Sequence, residues 1–318
     1  MKSLAALVAN ENMKIYRRPR TWILAVILLV LLAAFSVFEM QNAAKAGEED
    51  WRANVQAQLE NDRRALKDME DAPPAIKERL ANEIKLREYE LEHDLNPFRT
   101  NVWTFFSNST VLMSVVTLFV VLVGSDVVAS EFTWGSIKML LIRPFRRWQI
   151  LLSKYAAILL LCLAFCAELI IASWVVGGVL FGFESFDYAS LTISGDGEIE
   201  KHIVSLYALK MFGLQLLSTV FIVTIAFMIS TLFRTSGLAI GFSIFLLFSM
   251  NVLTTFLSRY DWAKYTLFPN LYLSYYGNHT EGVIEGMTLS FSIAADLMYT
   301  AAFLLITWWV FNKRDIAS

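Results

Sequence analysis

The sequence predicts an all-α membrane protein: six transmembrane helices, an N-terminal amphipathic interfacial helix, and an extracellular helical hairpin. Three observations carry this prediction. Of 318 residues, 56% are hydrophobic and only 18% are charged, against about a quarter charged in an ordinary soluble domain. The apolar residues are collected into membrane-length runs and not dispersed along amphipathic elements. Lys and Arg concentrate in alternate connecting segments, the pattern that orients helices in a bilayer. The net charge of −2 says less about partners than this distribution does.

In chain order, residues 1–21 place Leu4, Leu7, Val8 and Ile15 at helical spacing with Glu11 and Lys14 elsewhere, as in a helix lying on a membrane surface. Crossing a hydrocarbon core of about 30 Å takes about 20 mostly apolar helical residues. Six stretches qualify: Trp22 to Phe38, Val111 to Ala129, Ile150 to Val176, Leu206 to Phe233, Gly237 to Phe256, and Phe291 to Phe311. Basic residues ahead of span one also suit a cleaved signal peptide, but a signal's basic region is brief. The long amphipathic stretch therefore assigns span one to the mature protein.

Residues 39–109 are too polar for lipid yet patterned. Trp51, Val55, Leu59, Leu66 and Met69 mark one apolar stripe, Ile76, Leu80, Ile84 and Leu91 another, and Pro73 with Pro74 breaks the helix between them. Two antiparallel helices are expected, a solvated spacer being the alternative. Residues 130–149 connect spans two and three. The 257–290 loop contains Phe268 to Gly277, an aromatic stretch too short to span and suited to a re-entrant or interfacial segment. Residues 312–318 form a tail.

Orientation follows from the short loops. Lys14, Arg17, Arg18 and Arg20 precede span one; Lys138, Arg143, Arg146 and Arg147 lie between spans two and three; Arg234 precedes span five; Lys313 and Arg314 close the chain. The opposite side is acidic, with Glu184, Asp187, Asp196, Glu198 and Glu200 after span three, and Asp261, Glu281 and Glu285 after span five. Both termini are therefore expected in the cytoplasm, with the protein in the cell membrane.

Chemistry within the chain is expected to be absent. The sequence holds no GxxxxGK[ST] phosphate loop and no HExxH motif. Its histidines, His93, His202 and His279, are scattered over outside loops, which offers no nucleophile pairing. Cys162 and Cys166, one turn apart in an apolar run, read as small buried side chains.

The segment between spans two and three is the informative one. Phe132, Trp134, Ile137, Leu140 and Leu141 are apolar at roughly helical intervals, Gly135 allows close approach of another backbone, and Arg143 with Pro144 stops the helix. It suits a docking element, or an interfacial helix anchored by Trp134 and Trp148. Glu131, Gly135, Ser136, Lys138, Pro144, Arg147 and Lys154 resemble the recurring pattern of the type 2 ABC exporter permeases: an acid, Gly-Thr, a basic residue, a Leu pair, Pro and a later Lys. Ser136 replaces the usual Thr, and Phe145 stands where a small hydroxyl residue is common. The amphipathic start, the six spans, the irregular segment before span six and the ending Phe311 to Ile316 are similar to that family as well. The likeness covers essentially the whole chain, with the hairpin resembling a variant of some bacterial members.

The resemblance implies that residues 130–149 dock in a groove on a separate ABC ATP-binding subunit, two copies per transporter, beside a second permease chain, identical or related. Glu131, Phe132, Trp134, Gly135, Ser136, Ile137, Lys138, Arg143, Pro144, Arg146 and Arg147 become the expected ATPase-coupling residues. ATP and Mg would sit on the partner, with no cofactor, metal or nucleic acid on this chain, which would itself be no enzyme. The implied activity is efflux of a hydrophobic or amphipathic substrate such as an antimicrobial peptide, antibiotic or lipid-like compound. The alternatives are sodium or other ion extrusion by the same architecture, an ion-coupled carrier without an ATPase, or a membrane sensor or scaffold using the hairpin.

Ionisable residues inside spans are costly and mark function or packing. Glu168 lies about 27 Å along span three at 1.5 Å per residue, at a depth shared with Lys210 and Asp296. Lys210 with Glu168 or Asp296 is the expected outer polar cluster, an extracellular gate or a tie between helices. Asp126 and Lys154 lie near the inner surface, where they could pair.

Overall fold

Long unbroken apolar runs leave backbone groups no partner but one another, so the chain answers with helix. The computed structural model describes residues 4–48, 51–68, 74–135, 145–193, 199–277 and 282–313. Within them, six helical segments are long and apolar enough to cross a membrane: Pro19–Ala44, Val102–Thr133, Arg147–Phe181, Val204–Leu232, Ser236–Leu257 and Leu289–Lys313. In element terms the chain runs α1 (Leu4–Tyr16), α2 (Pro19–Glu48), α3 (Trp51–Asp68), α4 (Pro74–Glu92), α5 (Val102–Asn108), α6 (Met113–Gly124), α7 (Ala129–Thr133) and α8 (Arg147–Phe181). It continues through β1 (Ala189–Ile193), β2 (Ile199–Ile203), α9 (Val204–Leu232), α10 (Ser236–Leu257), α11 (Leu267–Asn270) and α12 (Leu289–Lys313).

Two features depart from an all-α chain of simple rods. β1 and β2 form an antiparallel hairpin, Ala189 opposite Ile203 and Leu191 opposite Lys201. The sequence SLTI followed by IEKHI alternates and is rich in β-branched residues, the period-2 pattern of a strand. The second span is segmented, with α5, a 3-10 turn over Ser109–Leu112, α6, a turn at residues 125–128 and then α7. The break at 125–128 leaves Val128 and Ala129 N–H groups in need of acceptors, and both donate to Ser230 Oγ of α9, at 3.0 and 3.1 Å. A buried hydroxyl from a neighbouring helix thus makes the interruption tolerable.

The chain divides into two compact units: Met1–Val30 with Val111–Ile170 and Lys210–Ser318, and Leu31–Thr110 with Ile171–Leu209. In the second unit, α3 is laced to α4 by the ion pairs Arg63–Glu88 and Arg87–Asp62, and to the turn just after α4 by Arg52–Asp94. The partners run in opposite directions along the chain, so the two helices are antiparallel. Asn101 starts α5 with a capping box: its side-chain oxygen accepts from Trp103 N at 2.9 Å and Thr104 N at 3.0 Å, while Thr104 Oγ1 accepts from Asn101 N at 2.7 Å. Trp103 Nε1 donates to Ser185 O at 2.8 Å, and Phe105, fully buried, packs at Gly177, where a Cβ would lie 2.8 Å from the ring.

In the first unit, the core gathers Phe221, Ile225 and Ile229 of α9, Met250 of α10, and Leu273 and Tyr276. Hydroxyls stitch its helices: Thr117 to Thr219 and Tyr155 to Thr224, both at 2.7 Å. After α10 the chain makes α11 and a 3-10 turn, Leu273–Gly277, both packed on α12. Asn270, fully buried, fixes this irregular stretch by donating to Lys264 O at 2.8 Å and Thr266 O at 2.6 Å.

Candidate functional site: a buried ionic joint

All residues of the site lie in the first unit. α1 turns into α2 at Arg17–Arg18. Thr21 Oγ1 donates to Ile15 O at 2.6 Å and Trp22 Nε1 to Tyr16 O at 2.8 Å, satisfying carbonyls left open at the end of α1. This corner aims one face of α1 at the ends of α6, α7 and α8. The buried residues of that face are Leu7, Glu11 and Ile15. Glu11 therefore sits on the apolar stripe of the helix and not away from it as the pattern suggested, while Leu4 is 37% exposed.

The reason is Lys154 of α8. Its ammonium, on a side chain only 1% exposed, lies 2.7 Å from Glu11 Oε2 and 2.6 Å from Glu131 Oε1 of α7. Lys14, at the rim, closes the group at 2.6 Å from Glu11 and 3.5 Å from Glu131. A lone buried ammonium is prohibitively costly, whereas one held between two carboxylates is compensated. Burial alone would push the Glu11 carboxyl up, but Lys154 and Lys14 outweigh it and hold the group below its ordinary value.

Asp126, just before α7, forms the second half. It accepts from Arg18 at 3.0 Å and pairs with Arg20 at 2.9 Å, and Ser236 Oγ at the start of α10 donates to its other oxygen. Asp126 and Lys154 thus do not pair with each other: two arginines and a lysine from different elements reach the carboxylates first. Thr133 adds a tie to the same turn, accepting from Ser236 N at 3.0 Å. Three carboxylates and four cations from α1, the α1–α2 corner, α2, the second span and α8 are consequently bound into one joint.

The loop residues of the coupling set are placed as follows. Glu131 is 7% exposed and faces inward, Phe132 is half-buried, and Trp134 is 72% exposed with Arg18 stacked over its ring at 5.3 Å. Gly135 follows α7 with φ of +69°, and none of the described residues lies within 4 Å of where its Cβ would be. The left-handed backbone at this helix end favours glycine. Ser136, Ile137, Lys138, Arg143 and Pro144 lie outside the described residues. Arg146 is exposed where its side chain is concerned, and its N–H donates to Gln149 Oε1 at 3.1 Å. Arg147 reaches α12: its guanidinium donates to Asn312 O at 2.9 Å and Phe311 O at 3.4 Å, at the C-terminal end of that helix.

The outer cluster does not assemble as expected. Among the described residues no salt bridge joins Lys210 to Glu168 or Asp296; Lys210 is exposed, Glu168 half-buried, and Asp296 is 1% exposed. Sequence reasoning passed over Glu11, Ser230 and Ser236 as site residues. Glu11 carried a signal, since it falls at i+4 from Leu7 and i−4 from Ile15; the two serines carried none.

Six apolar helices of spanning length, with an ionic joint buried where four of the first unit's elements meet, make this a multi-pass α-helical membrane protein. The chain belongs to the family described as "Protein of unknown function (DUF2705)", whose model matches residues 85–317. It is 35% identical over 316 residues to a Bacillus subtilis (strain 168) protein called "Uncharacterized protein YhcI", covering 98% of this chain and 99% of that one. It is 26% identical over 198 residues to another from the same organism, "Uncharacterized membrane protein YdbK", covering 62% of this chain and 76% of that protein.

Proposed function

We propose that this chain is the permease subunit of an ATP-driven exporter of the ABC type, with both termini in the cytoplasm and the α3–α4 hairpin outside. The observation that carries the proposal is the Lys154 joint. Glu131 stands at the head of the loop between spans two and three, and the buried ammonium ties it to α1 and α8. A push on that loop by a docked ATPase is then delivered to two further elements without slack, because close-packed ionic contacts transmit displacement in discrete steps. Arg147 extends the linkage to the end of α12. The residues facing the ATPase groove are Phe132 and Trp134 with Ile137, Lys138, Arg143 and Arg146; aromatic and Arg side chains suit such interfaces.

The cargo is a hydrophobic or amphipathic compound. Supporting this, the first unit holds a cleft of about 510 Å³ lined by apolar residues such as Leu118, Ile222 and Phe248, with Gln215, Ser218 and Asn251 as polar points, the mixture typical of small-molecule sites. The test is purification of the tagged full-length protein from native membranes, followed by reconstitution with any co-eluting ATPase. Nucleotide-dependent export that requires the ATPase is expected, and Trp134→Ala should release that subunit. Full-speed transport by this chain alone, without nucleotide, would overturn the proposal.

A further inference from the structure

We propose that Asp296 is a proton-binding site, its carboxyl carrying a proton as long as α12 is packed on the short segment Leu273–Gly277. This inference stands independently of the export reading, since it concerns only what neutralises one buried group.

Asp296 lies in α12, well inside a span, and is 1% exposed. Neither carboxyl oxygen has a hydrogen-bond partner among the described residues. One turn earlier, fully buried Ser292 shares a hydrogen bond of 2.7 Å with Tyr276 Oη of the short segment, and the carboxyl lies within electrostatic reach of that tyrosine. α12 packs on α11 and on Leu273–Gly277. From Leu267 to Gly277 the sequence contains no Lys, Arg, His, Asp or Glu; its titratable groups are Tyr272, Tyr275 and Tyr276. On α12 itself the others are Tyr299, whose hydroxyl is spent on Tyr265 O at 2.8 Å, and Lys313 at the far end, stacked on Trp309.

Among the described residues an ionised carboxylate at this position has neither donor nor counter-charge, and a group in such surroundings neutralises instead. A proton does this with no further ligands. A metal ion would require several oxygens around it, yet the described residues hold no group of three or more His, Cys, Asp or Glu, and the neighbouring hydroxyls are committed to each other. Separating α12 from the short segment would admit water to the carboxyl and let the proton leave, so that proton release accompanies opening of this contact.

The test is infrared spectroscopy of the full-length protein in lipid nanodiscs at neutral pH, with isotopically labelled aspartate. A protonated-carboxyl band that shifts on labelling is expected in the wild type, lost in Asp296→Asn, and unchanged when choline chloride is exchanged for sodium or potassium chloride. Identical wild-type and Asp296→Asn spectra in that region would overturn the proposal, as would loss of the band on adding sodium or potassium at constant pH, which would make a metal cation the occupant. Should Asp296→Asn fail to fold, Asp296→Glu serves: a displaced band supports the assignment, and an unmoved one refutes it.

Discussion

At the scale of single residues, Lys154 carries the largest consequence. Its removal leaves Glu11 and Glu131 facing each other in a buried space, and breaking a buried ionic group by deleting one partner costs about 3–5 kcal/mol. Lys154→Met should therefore lower the thermal midpoint of the solubilised protein strongly, and adding Glu11→Gln and Glu131→Gln should recover much of the loss. A melting series over these variants checks both statements. Glu11 also sets an acid limit. Because its folded-state value is held below the ordinary 4.5, its contribution is complete above that pH and is lost as the pH falls through the lowered value. Proteolytic release of α1 should accordingly begin only in acid below about 4.5, and Glu11→Gln should abolish that dependence.

At the scale of elements, two contacts determine how the second unit is held. Asn101→Ala removes the capping box of α5 and should cost about 1 kcal/mol, read as a lower midpoint in denaturant or heat. Gly177 is more demanding. A Cβ there would meet Phe105 at 2.8 Å and Val102 O at 3.3 Å, and Phe105 is fully buried with no room to yield. Gly177→Ala should destabilise by about 1–3 kcal/mol, the usual range for overpacking, whereas Gly213→Ala on α9, where none of the described residues lies within 4 Å, should stabilise by up to about 1 kcal/mol. The pair separates steric exclusion from the general helix preference for alanine. The segmented second span shows the same principle in reverse: Ser230 supplies from another helix the acceptor that the broken helix lacks.

At the scale of the whole molecule, the described residues hold six helices long and apolar enough to cross a membrane, and the topology we propose, with both ends in the cytoplasm, follows the distribution of Lys and Arg. A reporter that fluoresces only in the cytoplasm should be bright when fused after Ser318, and a cysteine introduced between Trp51 and Asp68 should react with a membrane-impermeant reagent from outside intact cells. The opposite labelling pattern would invert the topology and with it the proposed position of the coupling loop.

The sequence by itself determined the number and rough position of the spans, because burial in lipid demands uninterrupted apolar length and that demand is written locally in every residue of a run. It also singled out Glu131, Asp126 and Lys154, because an ionisable group in or beside a span is conspicuous wherever it lies. The partners of those groups were decided only by the tertiary structure. A helical count alone puts Lys154 within reach of Asp126, but the corner at Arg17–Arg18 turns α1 so that Glu11 reaches it first, leaving Asp126 to Arg18 and Arg20. Which side chains meet across helices depends on crossing and rotation, which are set by the packing of the entire unit, and no short stretch of sequence encodes them.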